Sequence, residues 1–205
     1  MLRRYRYRLY PTKDQEVLIA QHLGCCRYVY NWALARKNRA YHTESLSLSK
    51  YDLMQQLPAL KEELPWLKEV NAQSLQQSIH NLSRAFTNFF EGRAEAPTFK
   101  KKHDPEQGFT VPQAYTVDFE QGTVKLPKIG TLKVKYHRTF AGTTKSATVI
   151  RKSTGHEWAG TCCCNGTPVV DHLSYVRIVP GQGFEEIDQF FLCQPFEIGA
   201  QGLFR

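Results

Sequence analysis

The strongest constraint on this chain is an alternation at its start. In R-R-Y-R-Y-R-L-Y, Arg4, Arg6 and Arg8 fall on one side and Tyr5, Tyr7 and Leu9 on the other. A period of two is the mark of a strand with one buried and one solvated face. The pattern returns far along the chain. In Leu132-Lys133-Val134-Lys135-Tyr136-His137, Lys133, Lys135 and His137 alternate with Leu132, Val134 and Tyr136. We expect the opening strand to join these later strands, with everything between inserted into the sheet's connectivity. A charged strand face has two uses. It can protect a sheet edge from aggregation, or it can lie against phosphate.

The insert reads as helical. Pro11 ends the strand, and Thr12 with Gln15 forms a capping box. A short helix follows, with Gly24 placed to stop it. A second helix runs from about Cys25 to Tyr41 on the stripe Cys26, Val29, Tyr30, Ala33 and Leu34. Two helices joined at a glycine resemble a helix-turn-helix. Ser49 is placed to cap a third helix, about Lys50 to Leu57, stopped at Pro58. Asn71 should cap a long helix to about Phe90 on the seam Leu75, Ile79, Leu82, Phe86 and Phe89, with Gly92 closing it.

Beyond residue 92 the period changes from helical to alternating. A loop carries Lys100, Lys101 and Lys102. Short β-type runs follow at Phe109 to Val111, Tyr115 to Phe119, Gly122 to Leu126, Gly130 to Arg138 and Ser146 to Lys152. The fold class expected is α+β: a small β-barrel interrupted by an inserted helical bundle with a helix-turn-helix-like start, plus an irregular tail. The boundaries expected are 1–11 for the first strand, 12–92 for the helices, 93–160 for the rest of the barrel and 161–205 for the tail.

Charge narrows the partner. The net charge is +8 with a pI near 9.2. Residues 1–152 hold 25 of the 27 Lys and Arg but 13 of the 19 Asp and Glu, whereas the remainder is acidic. A basic body fits nucleic acid. Basic residues also recur beside aromatics, as in Arg27-Tyr28 and Lys135-Tyr136-His137-Arg138, which suits phosphate contact plus base stacking. Leu2-Arg3-Arg4-Tyr5 is not followed by an apolar stretch, and no run is long enough to span a bilayer. A cytoplasmic protein with reduced thiols, no membrane partner and no small-molecule substrate is expected.

Catalytic chemistry is hard to place. Cys162, Cys163 and Cys164 are adjacent, so in a strand they point to opposite faces, and no C-x-x-C pair exists. Between residues 107 and 170 only Asp118, Glu120 and Glu157 could serve a two-metal nuclease before the tail. No catalytic residue and no metal ligand is predicted.

Several segments together resemble the N-terminal part of the TnpB (OrfB) family of insertion-sequence proteins. They are Tyr7-Arg8-Leu9-Tyr10-Pro11-Thr12, Cys25-Cys26-Arg27-Tyr28-Val29-Tyr30-Asn31-Trp32, Ala72-Gln73-Ser74-Leu75-Gln76-Gln77, Arg84-Ala85-Phe86, Pro97-Thr98-Phe99-Lys100-Lys101-Lys102 and Leu126-Pro127-Lys128-Ile129-Gly130. Their order holds to about residue 158. The resemblance implies a wedge barrel with an inserted recognition lobe, holding a guide RNA from the transposon end and reading a short motif beside the target DNA. It implies that Lys50, Gln76, Gln77 and Thr110 face that motif. Arg4, Arg6, Arg8, Arg27, Lys100, Lys101, Lys102, Lys133 and Lys135 are the candidates for backbone contact. Full-length members carry a metal-dependent nuclease domain, with a divalent ion such as magnesium and a structural zinc. Here Val179 stands where the resemblance places a catalytic Asp, so the chain is expected to be a truncated binder that does not cut and needs no cofactor. The tail is expected to be frame-shifted or disordered. The other reading is a stand-alone helix-turn-helix regulator of the element.

Overall fold

The computed structural model describes residues 2–137, 143–152 and 155–163. Expectations for Arg138, Cys164, Val179 and the tail beyond residue 163 lie outside them. The elements are β1 (Leu2–Tyr10), α1 (Lys13–Glu44), α2 (Lys50–Glu63), a single 3-10 turn (Pro65–Lys68), α3 (Ala72–Phe90), β2 (Glu106–Val111), β3 (Thr116–Asp118), β4 (Thr123–Leu126), β5 (Gly130–Lys135), β6 (Thr143–Lys152) and β7 (Gly155–Cys163). The architecture is α+β, with the helices inserted between β1 and the other strands, as the two alternating segments predict.

All three expected caps are present. Thr12 Oγ1 accepts from the Gln15 N–H, and the Gln15 side chain accepts from the Thr12 N–H. Ser49 and Asp52 form the same reciprocal pair, and Asn71 Oδ1 accepts from the Gln73 N–H at 3.2 Å. Two expected stops are absent. Gly24 lies inside α1, which runs unbroken for 32 residues, so there is no turn at this glycine. The reason is the stripe. Ile19, His22, Leu23, Cys26, Val29, Tyr30, Ala33 and Leu34 are buried in unbroken 3–4 phase across it, and burial outweighs the ~1 kcal/mol cost of a helical glycine. Pro58 likewise lies inside α2, not after it. It is exposed, while Leu53, Leu57 and Leu60 continue one buried stripe past it.

Gly24 has a helical backbone, and an added Cβ would meet nothing within 4 Å. Gly24→Ala should therefore raise stability by about 0.5–1 kcal/mol in urea unfolding. A loss would mean that the position bends in solution.

The sheet is antiparallel in the order β2-β6-β7-β1-β5-β4-β3. It is not closed into the expected barrel. Its end strands β2 and β3 do not pair with each other, and β2 instead lies against α3 and α1, which cover that edge. β7 was not anticipated, because Gly155-His156-Glu157-Trp158-Ala159-Gly160 has no clean alternation. Its place depends on register with β1 and β6, where Gly160 is opposite Tyr5 and Ala147. β1 sits between β7 and β5. Its Tyr7 and Leu9 are buried with Leu132 and Val134 of β5 and Val124 and Leu126 of β4, in one cluster with the helix stripes.

One buried polar group ties α1 to α3. His22 is 1% exposed. Its Nδ1 lies 2.8 Å from the Leu18 carbonyl, which can only accept, and its Nε2 accepts the Asn71 N–H at 3.2 Å. The imidazole is thus neutral with its proton on Nδ1. Burial holds its pKa below the ordinary 6.5, against a smaller upward pull from the Leu18 carbonyl. The unfolded chain protonates first as pH falls, so this contribution is intact above about 6.5 and is lost progressively below it. Urea midpoints should fall between about pH 7 and about pH 5. His156 is depressed by burial too and contributes in the same sense. His22→Gln should therefore flatten the profile without abolishing the slope, and an unchanged profile would refute the assignment.

Candidate nucleic-acid interface

Register places the two alternating strands side by side. Arg8 is directly opposite Lys135, and Tyr10 opposite Lys133. Opposed residues of an antiparallel pair share a face. Arg4, Arg6, Arg8, Lys133 and Lys135 are all exposed on the side away from Tyr7 and Leu9, and Lys125 of β4, opposite Thr131, joins them. Exposed Tyr10 lies among these cations. The acid facing Arg8 is Glu157 of β7, whose carboxylate is 3.1 Å from Lys152 Nζ. The face is therefore a ladder of cations with little local neutralisation.

A second basic surface lies between the start of α2 and α3. A polar groove of about 710 Å³ is lined by Lys50, Gln77, His80, Arg84, Asn88 and Arg93 among others. Gln77 Nε2 donates to Asn81 Oδ1 at 3.3 Å, and Arg93 Nη2 donates to Asn88 Oδ1 at 3.0 Å. Lys50 and Gln77 thus meet in one groove. Gln76 is exposed on the same helix but does not line it. Thr110 is apart on β2, its hydroxyl 3.1 Å from that of Thr148.

The third surface joins Arg27 to the lysine loop. Asn31 of α1 clamps the loop backbone. Its Nδ2 donates to the Lys100 carbonyl at 3.0 Å, and its Oδ1 accepts from the Lys100 N–H at 2.9 Å. The Lys100 ammonium lies 4.2 Å from the centre of the Tyr30 ring. The residue is exposed overall, yet burial of this end pulls its pKa down. Lys101 and Lys102 are exposed beside it, and the Lys101 N–H donates to Asp104 at 2.8 Å. Gln107 is the hub. Its Oε1 accepts from Arg27 Nη1 at 3.2 Å and Arg151 Nη2 at 3.1 Å, while its Nε2 donates to the Lys102 and Asp104 carbonyls.

Sequence reasoning missed Arg84, Gln107, Arg151 and the role of Asn31. Arg84 had a signal: Gln77, His80 or Asn81, and Arg84 repeat at helical spacing opposite the apolar seam. Gln107 and Arg151 had none, because Gln107 meets Arg27 across 80 residues and Arg151 across 44.

Cys25 and Cys26 are packing groups. Burial raises Cys25 to about 11, with Glu69 adding to the rise, and burial raises Cys26 to about 12. Both are free thiols, and Cys26 lies 3.6 Å from the Ser74 carbonyl of α3. Among the described residues no three His, Cys, Asp or Glu side chains gather where a metal ion could be held. Among them, too, no helix is long and apolar enough to cross a membrane.

A family model for the helix-turn-helix domain of OrfB from IS605-type elements matches residues 1–45. The Escherichia coli K12 protein named "Putative RNA-guided DNA endonuclease InsQ" is 35% identical over 150 residues, covering 72% of this chain and 37% of that protein. A Streptomyces pristinaespiralis protein named "Putative RNA-guided DNA endonuclease" is 32% identical over 171 residues, covering 80% of this chain and 42% of that one. The Salmonella dublin virulence protein VsdF is 34% identical over 114 residues, half of this chain and 96% of that protein. The chain thus spans about two fifths of the length of the two endonuclease-named relatives.

Proposed function

This chain belongs to the TnpB (OrfB) family and corresponds to its N-terminal part, and from that premise we propose that it binds a guide RNA from the transposon end together with target-adjacent DNA, without cleaving DNA itself. The observation that carries the reading is the ladder of Arg4, Arg6, Arg8, Lys133 and Lys135 on one sheet face. Its strands rise about 3.3 Å per residue, so alternate cations recur at about 6.6 Å. That spacing is close to the repeat of a nucleic-acid backbone, and a rigid sheet presents it without the cost of ordering a loop. We assign RNA backbone to this face and to Lys100, Lys101 and Lys102, with Arg27 beside them.

The groove of Lys50, Gln77 and Arg84 is assigned to the DNA motif, since amide and guanidinium groups read base edges while lysine meets phosphate. Gln76 and Thr110 are outer members of that set. The divalent ion and zinc that the family resemblance implies would need carboxylates or cysteines that the described residues do not gather, so no step through a metal is assigned to them.

The test uses the whole chain with three labelled probes at one salt concentration: RNA transcribed from the element's end, an unrelated hairpin RNA and duplex DNA. Preference for the element-end RNA is expected. Tighter binding of duplex DNA in the absence of RNA would favour the stand-alone regulator. Binding to none of the three would sink the proposal. Magnesium-dependent cutting of the DNA would overturn the non-cleaving part.

A further inference from the structure

We propose a subsite for one unpaired nucleotide base in the groove on α1 that holds Gly24, Arg27, Tyr28, Trp32 and Trp66, an inference that rests on the nucleic-acid reading above but uses none of its sheet-face or α2–α3 residues. The groove has a volume of about 640 Å³. Tyr28 and Trp66 are 39% and 38% exposed, with ring centres 5.1 Å apart at 76°. An edge-to-face pair leaves a broad ring face open for a flat ligand. Gly24 contributes to the opening, since an added Cβ there would meet nothing within 4 Å.

The occupant is set by charge. Arg27 lines the groove, and its guanidinium shares the Gln107 oxygen with that of Arg151. Neither arginine forms an ion pair among the described residues. Two guanidiniums held by a neutral amide keep their full charge and their fork geometry for a phosphate. Asn31, which also lines the groove, fixes the lysine loop by both ends of its amide. One acid, Glu69, lies in the lining. An aromatic slot lined by Arg27, with Arg151 held beside it on Gln107, matches a base attached to its phosphate, the combination used by single-strand binders. The site does not select between RNA and DNA, because stacking uses the π-face common to all bases.

The test follows short single strands, one of oligouridine and one of oligothymidine, each carrying one 2-aminopurine. The full chain should quench the 2-aminopurine in both, and an abasic site at that position should weaken binding about ten-fold. Gly24→Leu should fill the slot and produce the same loss while leaving the helix intact by circular dichroism, since leucine is the better helix former. Tyr28→Ala should match it. Arg4→Ala/Arg6→Ala/Arg8→Ala should weaken structured RNA and keep the quenching. Quenching confined to one of the two strands would overturn a subsite that rests on stacking alone. Wild-type affinity and quenching in Gly24→Leu would overturn the subsite while leaving the guide-binding proposal standing. Failure of the unmodified chain to bind any probe overturns both.

Discussion

Replacing Arg4, Arg6, Arg8, Lys133 and Lys135 together by alanine is expected to weaken binding of element-end RNA by about two to three orders of magnitude at moderate salt. Each neutralised phosphate releases counterions, so the slope of log affinity against log salt should flatten by about 3–4 units. The fold should survive, because all five side chains are exposed and the buried members of the same strands, Tyr7, Leu9, Leu132 and Val134, are untouched. Exposed substitutions of this kind usually change stability by less than about 0.5 kcal/mol each. Anisotropy titrations across a salt series check the result. An unchanged slope would mean that the face carries no phosphate. The opposing reading, in which the charges protect a sheet edge, is weakened by topology, since β1 lies between β7 and β5.

The largest effect on stability is expected at the centre of α3. Ile79 is fully buried, as are Leu75 and Leu82. Ile79→Ala should cost about 3–4 kcal/mol, the transfer loss of its methyl groups plus the cavity left between α3 and its neighbours. Phe89 and Phe90, about three turns beyond Ile79, are 40% and 78% exposed. Phe89→Ala should therefore cost less than about 1 kcal/mol, although the same periodicity places it on the seam. Equal costs in urea unfolding would refute this division of the helix. The consequence reaches the groove on the opposite side of α3, because Gln77, His80 and Arg84 keep their common face only while the buried seam holds the helix in place.

Nearly all of the local structure was legible in the sequence. Thr12, Ser49 and Asn71 cap helices because each side chain satisfies an N–H within its own first turn, an interaction spanning two or three residues. The alternation of β1 and β5 was equally readable, since a strand's two faces need only a period of two. The seam was readable for its first four members, Phe86 being partly buried against the core, and failed at Phe89, where the helix outruns the core that would cover it.

Gly24 and Pro58 mark the limit of local reading. Both are punctuation in a window of a few residues, and both were overrun by stripes whose burial depends on α3 and the sheet. The open sheet and β7 belong to the same class, because β7 is held between its neighbour β6 and the distant β1, and the β2 edge is covered by helices rather than by β3. So is the Gln107 hub. An amide that holds two arginines and a lysine loop has no motif, and its members meet only once the helices and strands have packed.

Sequence alone determined the residue chemistry: a basic body, aromatics beside cations, two amphipathic strands and capped helices, each set by interactions within a turn or a pleat. Only the tertiary structure decided which cations act together. Strand register put Arg8 beside Lys135, and packing of α1 on β2 put Arg27 on Gln107. Charges distant in sequence add their fields only where the fold brings them within about a Debye length of one another.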